Sequence, residues 1–251
     1  AVSVVENARP DLAKMGLDWE SLHAKFPRLI MGHGLGYGKK GPEKDAAGFD
    51  VTCYMGRGGV FGTTVNKGDS PMIPTNGYGD YQCSVFLVAG ILAALQGREK
   101  TGEGDYVTCA LQHAGIYTLA TGMISAQYGN PYPKSRLEVN NPLNNVFRSK
   151  DQKWVVLCLP EYDRDWPRVM HLIGRDELAE HPDYSCCQTV NDKGLAPEVV
   201  KILDDGFAQF TREELLKMFS ENDMPCEPAQ TPTDIYEDQN ALINEYIKPV
   251  Q

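Results

Sequence analysis

The sequence predicts an α/β protein built in two parts, and three observations predict it. In the first half two short apolar strands flank one long apolar helix. A stretch rich in proline and asparagine, 129–145, then breaks the pattern. Beyond it come a hairpin and several amphipathic helices, the signature of a smaller α+β unit. The boundary falls near residue 140, giving parts 1–140 and 141–251.

Residues 1–28 read as helical and amphipathic, with Pro10 opening a turn or a first helical turn. Asp18 stands as N-cap of a helix from Trp19 to Lys25, which Pro27 stops. Arg28-Leu-Ile-Met31 is a short buried strand. It runs into Gly32-His-Gly-Leu-Gly-Tyr-Gly-Lys-Lys-Gly-Pro42, whose glycines predict a loop. Residues 43–79 predict loop and short helix, with one apolar segment from Phe49 to Met55.

Asp80 opens the clearest helix. Val85, Val88, Ile91, Leu92 and Leu95 recur at helical spacing, and the apolar residues among them predict burial on most sides. Gly97 is its expected C-cap, and Arg98 and Lys100 suit the negative end of the helix dipole. The turn Thr101-Gly-Glu-Gly-Asp105 leads to a strand, Tyr106 to Leu111, with Val107, Cys109 and Leu111 on one face. A second apolar helix runs from about His113 to Tyr128. In the second part, Phe147 to Leu159 is a hairpin turning at Asp151 and Gln152. Helices follow near 161–173, 195–208 and 212–220, the last with a capping box of Thr211 and Glu214.

Composition narrows the function. The 251 residues are 42% hydrophobic, ordinary for a globular chain. Lys and Arg total 24 against 34 Asp and Glu, a net charge of -10, which argues against general nucleic-acid or anionic-membrane partners. A small anionic ligand needs only local donors and stays open. Seven cysteines without a C-x-x-C pair argue against a disulfide framework or a thiolate zinc site. Five scattered histidines support no metal site, so none is expected. The apolar run Val85 to Leu95 is short for a membrane span, and the N-terminus carries no signal-peptide pattern. A cytoplasmic location is expected.

Gly36-Tyr-Gly-Lys-Lys-Gly41 matches G-x-G-x-x-G after a strand. Pro42 follows at once and no helix opens inside the motif, so dinucleotide binding is not supported. Asp80 is the more informative residue. It follows Asn76-Gly-Tyr-Gly79 and reads as an N-cap. A carboxylate at a helix N-terminus is expected to be held ionised by backbone N–H groups and the dipole. Such a carboxylate can act as a nucleophile, with flanking glycines admitting an acyl group.

Several stretches resemble class III CoA-transferases of the CaiB/BaiF family, which includes carnitine, bile-acid, formyl and 2-hydroxyacyl CoA-transferases. Glu6-Asn-Ala-Arg-Pro10 with Lys14-Met-Gly-Leu17 is similar to the family's E-N-F-R-P-G…L-G-L segment. Phe26-Pro-Arg-Leu-Ile30, Gly36-Tyr-Gly38 and Gly41-Pro42 resemble N-P-R-L-I…G-F-G…G-P, and Gly48-Phe-Asp50 stands where the family has G-Y-D. Gly79-Asp80, Ala89-Gly-Ile-Leu-Ala-Ala-Leu95 and Arg98-Glu-Lys-Thr-Gly-Glu-Gly104 look like its catalytic Asp, long helix and R-x-x-T-G-x-G turn. Asn141-Pro-Leu-Asn144, Asp163-Arg164 with Trp166, and Pro225-Cys226 match later landmarks.

The resemblance implies a Rossmann-like large domain, here incomplete at both ends of the chain, plus a smaller α+β domain. It implies an enzyme that moves CoA from an acyl-CoA to a small carboxylic acid through an aspartyl-CoA intermediate on Asp80. CoA contacts would fall to Asn7, Arg9, Lys14 and Met15. The substrate and oxyanion loops would include Gly36, Tyr37, Gly38, Phe49, Gly77 and Gly79. An interlocked homodimer is expected. Gly77-Tyr-Gly-Asp80 and Tyr162-Asp-Arg164 lean toward a branch acting on 2-hydroxy acids. One alternative is an α-methylacyl-CoA racemase, but its acid/base His is Phe49 here, and proton exchange needs two such groups. Another is a non-catalytic CoA-binding subunit.

Overall fold

The structure is a computed structural model and describes residues 3–6 and 12–248. Two compact units divide the chain at Lys134 and Ser135. In the first, β1 (Ser3–Glu6), α1 (Leu12–Met15), α2 (Trp19–Lys25) and β2 (Ile30–Leu35) are followed by a π-helical turn, Val51–Arg57. Then come α3 (Phe61–Thr64), α4 (Tyr78–Thr101), β3 (Tyr106–Ala110), α5 (Leu111–Thr118) and α6 (Ala120–Gln127). The three strands form one parallel sheet in the order β1-β2-β3, with Val4 opposite Met31 and Gly32 opposite Val107.

Three expectations change here. Residues 3–6 are a strand, because β2 offers a paired parallel edge that a helical reading of local pattern does not see. β2 runs on through Gly32 and Gly34, because strands flank it on both sides. Gly32 also lets α4 lie against the sheet, since a Cβ there would stand 2.8 Å from Ile91 Cδ1. The expected 113–128 helix is two helices that meet at Leu119. The Asp18 cap is as expected: its carboxylate accepts from the Ser21 N–H at 3.0 Å.

α4 differs most. Its N-cap is Gly77 at φ 107° rather than Asp80, and its C-cap is Gly102 at φ 78° rather than Gly97. Both caps are left-handed positions that glycine adopts without a Cβ penalty. At 24 residues α4 is long and apolar enough to cross a bilayer, which the Val85–Leu95 run alone is not. A helix laid on a sheet passes the same test. Leu87 and Ala94 are buried, while Val85 (66% exposed), Val88 (55%) and Leu92 (59%) face outward. The prediction of burial on most sides fails because one sheet can cover only one side of a helix.

The second unit pairs β4 (Asn144–Arg148), β5 (Trp154–Cys158) and β6 (Cys226–Pro228) in an antiparallel sheet, order β4-β5-β6. Gln152, with φ 64°, turns the predicted hairpin. Its helices are α7 (Tyr162–Leu172), α8 (Cys187–Asp192), α9 (Ala196–Phe207), α10 (Arg212–Glu221), α11 (Pro232–Ile235) and α12 (Gln239–Ile243), with a 3-10 turn at Asp176–Leu178. Alternate strand residues Phe147, Val155 and Leu157 face a core with Trp166, Leu203, Phe207 and Phe219. Thr211 and Glu214 form the expected capping box on α10.

Asp165 in the first turn of α7 is fully buried. It accepts from Arg164 Nε at 3.0 Å, Arg164 Nη2 at 2.8 Å and Arg168 Nη1 at 2.8 Å. Arg164 foremost, with Arg168, holds its carboxyl below the usual carboxylate range. Stability from this pairing is therefore present above the unfolded carboxylate value near pH 4 and is lost as pH falls below it. Asp165→Asn is expected to cost about 1–3 kcal/mol at pH 7. Its unfolding midpoint should also depend less on pH below about pH 4 than wild type in denaturant titrations.

Candidate active site

A cavity of about 460 Å3 opens in the first unit. Its lining includes Gly34, Leu35 and Gly36 from the end of β2, Cys109 near the end of β3, and Asp80 and Cys83 from the start of α4. In open α/β sheets ligands bind beyond the carboxyl ends of parallel strands, and this cavity occupies that place. A second cavity, about 390 Å3, is lined by Leu12 and Ala13 of α1, Trp19, Gly38, Lys39 and Tyr106. Leu35 borders both. Trp19 stacks on Tyr106 with ring centroids 5.5 Å apart, and Lys39 Nζ sits 4.5 Å from the Tyr106 centroid.

The start of α4 is organised by a residue outside the sequence-derived site list, Asp50. Asp50 is buried, just before the π-helical turn. Its Oδ2 accepts from the Gly77 N–H at 2.8 Å and its Oδ1 from the Gly79 N–H at 2.7 Å. An anion at a helix N-terminus satisfies orphan donors and meets the positive end of the dipole. Here that anion comes from 27 and 29 residues upstream. Gly48-Phe-Asp50 was visible in the sequence, but no local spacing links it to Asn76-Gly-Tyr-Gly79.

Glycine is required where these segments meet. A Cβ on Gly79 would lie 2.4 Å from Tyr54 Cγ and 2.5 Å from Asp50 Oδ1. A Cβ on Gly48 would lie 2.2 Å from Cys53 Sγ. The π-helical turn is itself seated on α5, where a Cβ on Gly58 would stand 3.0 Å from Gly115 Cα.

Asp80 is thus not the cap. It is exposed on the cavity side of α4, and among the described residues no donor reaches its carboxylate. Its pKa is raised, first by desolvation and then by the Asp50 charge, the opposite direction to the lowering that the helix end was expected to give. The N–H groups that would have lowered it are already given to Asp50.

The other sequence-derived residues fall in different places. Gly36 lines the Asp80 cavity, and Gly38 the second. Gly77 and Gly79 carry the N–H groups bound to Asp50. Tyr37 lies beside Gly48, and its pKa is raised chiefly by Cys53. Phe49 is 72% exposed. Lys14 and Met15 are on α1, next to the two α1 residues that line the second cavity. Asn7, Arg9 and Pro10 lie outside the described residues. Cys83 and Cys109 were not foreseen as lining residues; their strand and helix positions say nothing of each other until the sheet forms.

A parallel-sheet unit with a carboxylate at the start of its long helix, joined to a small α+β unit, defines a class. The chain matches CoA-transferase family III over residues 3–251 and belongs to that family. It is 40% identical over 239 residues to the cinnamoyl-CoA:phenyllactate CoA-transferase of Clostridium sporogenes, covering 94% of this chain and 58% of that protein. It is 36% identical to the (R)-2-hydroxy-4-methylpentanoate CoA-transferase of Clostridioides difficile, covering 94% of this chain and 59% of that protein. A CAIB/BAIF family protein from Brucella suis shares the fold at a TM-score of 0.80 and 25% identity, over 97% of this chain and 64% of that one. The chain therefore spans about three fifths of the length of these relatives.

Two consequences can be measured. A raised Asp pKa means the fold favours the protonated form, so Asp80's contribution to stability is greatest at low pH and is lost as pH rises through its pKa. Asp80→Asn removes that burden and is expected to leave the thermal midpoint at pH 7 unchanged or higher; a clear drop would contradict this placement. Gly79→Ala is expected to cost about 1–3 kcal/mol by overpacking against Tyr54 and Asp50, read by denaturant unfolding.

Proposed function

We propose that this chain carries the nucleophilic carboxylate of a CoA-transferase that moves CoA from an acyl-CoA thioester to a free 2-hydroxy acid. The observation that carries the reading is Asp80: a carboxylate without side-chain partners among the described residues, raised in basicity, and aimed into a glycine-lined cavity. Membership of the family supports the reaction class. The names of the two similar transferases, for phenyllactate and 2-hydroxy-4-methylpentanoate, support the acceptor class.

Asp80 attacks the thioester carbonyl, and the CoA thiolate leaves an aspartyl–acyl anhydride. The thiolate then attacks the Asp80 carbonyl, releasing the donor acid and forming an aspartyl-CoA thioester. The acceptor carboxylate attacks that thioester, and the thiolate finally takes the acceptor acyl group, freeing Asp80. Covalent exchange conserves the thioester's free energy, and no net proton is consumed. Gly34 and Gly36 leave backbone exposed to the cavity where an oxyanion would form. The second cavity is lined by Trp19, Tyr106, Lys39 and Lys44 together with Asp18, Glu20 and Asp45; its aromatic rings, with Lys14 and Met15 on the adjoining helix, support placing the adenine end of CoA there. An interlocked homodimer belongs to the same reading and is tested by solution mass.

Asp80→Ala is expected to lower CoA exchange between an acyl-CoA and a 2-hydroxy acid by at least about a thousandfold, some 4 kcal/mol of barrier. Hydroxylamine added with the acyl-CoA should convert Asp80, and no other carboxylate, to a hydroxamate seen by peptide mass. Turnover without a labelled Asp80 would defeat the assignment. Solvent deuterium entering the α-carbon without CoA exchange would point instead to a racemase, and binding with neither reaction to a CoA-binding subunit.

A further inference from the structure

The Asp80 cavity also holds two thiols that this reaction does not use. Cys83 follows Asp80 by three residues on α4, so both side chains lie on one helix face. Cys109 reaches the same cavity from β3. Their Sγ atoms share a hydrogen bond at 3.4 Å. Cys109 is buried and Cys83 half-buried, so the cavity is the route by which a small reagent meets them.

The two sulfurs are chemically unequal. Cys109 is lowered to about 7, chiefly by its hydrogen bond with Cys83. Cys83 is pushed far up, first by the same hydrogen bond and then by burial. The pair shares a proton at short range, so holding it on one sulfur favours the charge on the other, with Cys109 the sulfur that is lowered. Thiol–disulfide exchange requires that division: an attacking thiolate whose pKa is near ambient pH and a resolving thiol within reach. By contrast, burial raises Cys226 to about 12 and also raises Cys187.

We propose that Cys83 and Cys109 form a modification site for small organic disulfides, closing to an intramolecular disulfide beside Asp80. Cys109 thiolate attacks one sulfur of the reagent, its S–S bond breaks, and one thiolate leaves. The Cys83 proton passes to that thiolate, and Cys83 Sγ then attacks Cys109 Sγ. The mixed disulfide breaks and the second thiolate departs. Two electrons pass from the pair to the reagent, which leaves as two thiols once its second sulfur takes a proton from solvent. A disulfide bond is about 2 Å long, so the sulfurs close by roughly 1.4 Å and draw the first turns of α4 toward β3. A shift of that size beside a reacting group is enough to impair transfer. That consequence rests on Asp80 being the nucleophile; the site itself does not.

The test uses 2-hydroxyethyl disulfide, which is small and uncharged. The protein is treated with it, quenched in acid, alkylated and mapped by mass spectrometry without reduction. The expected product is a single cross-link between the peptides of Cys83 and Cys109, lighter by two hydrogens and reversed by dithiothreitol. Formation should speed up as pH rises through about 7. Cys83→Ser should trap the reagent on Cys109, and Cys109→Ser should leave Cys83 unmodified. Wild-type mapping decides even if a variant fails to fold: both thiols alkylated, or either linked to another cysteine or to a second chain, overturns the proposal. CoA exchange by the cross-linked protein should fall at least about tenfold and return with dithiothreitol. A cross-link in a protein that shows no exchange even when reduced would overturn the proposed activity and leave the dithiol standing.

Discussion

The carboxylate of Asp50, bound to the N–H groups of Gly77 and Gly79, is the interaction on which the rest of the candidate site depends. A helix begins with orphan donors, and a buried start without partners costs free energy for each. Asp50 supplies the partners and a negative charge at the positive end of α4. It thereby fixes where the first turn lies, and Asp80 comes with it. Gly79 lets the two segments approach to a distance that no side chain would permit.

The same arrangement sets the character of Asp80. Asp50 is held by two backbone N–H groups; Asp80, 30 residues further along the chain, is left without such donors and feels the first as a like charge. Environment thus divides two chemically identical groups into one held by backbone donors and one whose pKa is raised. The glycines at the carboxyl ends of β2 and around Gly48 keep the space before Asp80 open, and the two cysteines form part of its wall.

The long helix, the second strand pair and the capping box on α10 were legible because each rests on contacts within a few residues. Asp80 was legible as a candidate for its place before an apolar run and through the family resemblance. The direction of its pKa shift was misread, since the sequence shows a carboxylate near a helix start but not that another carboxylate already holds the donors. The strand at 3–6 and the continuation of β2 through Gly32 and Gly34 were hidden for a related reason: both depend on neighbours in a parallel sheet that lie far along the chain.

By itself the sequence determined the α/β class and the family, and it singled out Asp80 as the candidate for the chemistry. These follow from periodicity, composition and motif order, which are properties of the chain as written. Tertiary structure alone decided that Asp50 caps α4, that Asp80 is left basic, and that Cys83 meets Cys109. Each joins groups 26 to 30 residues apart, and only a folded backbone, with glycine at the points of closest approach, brings such groups near one another.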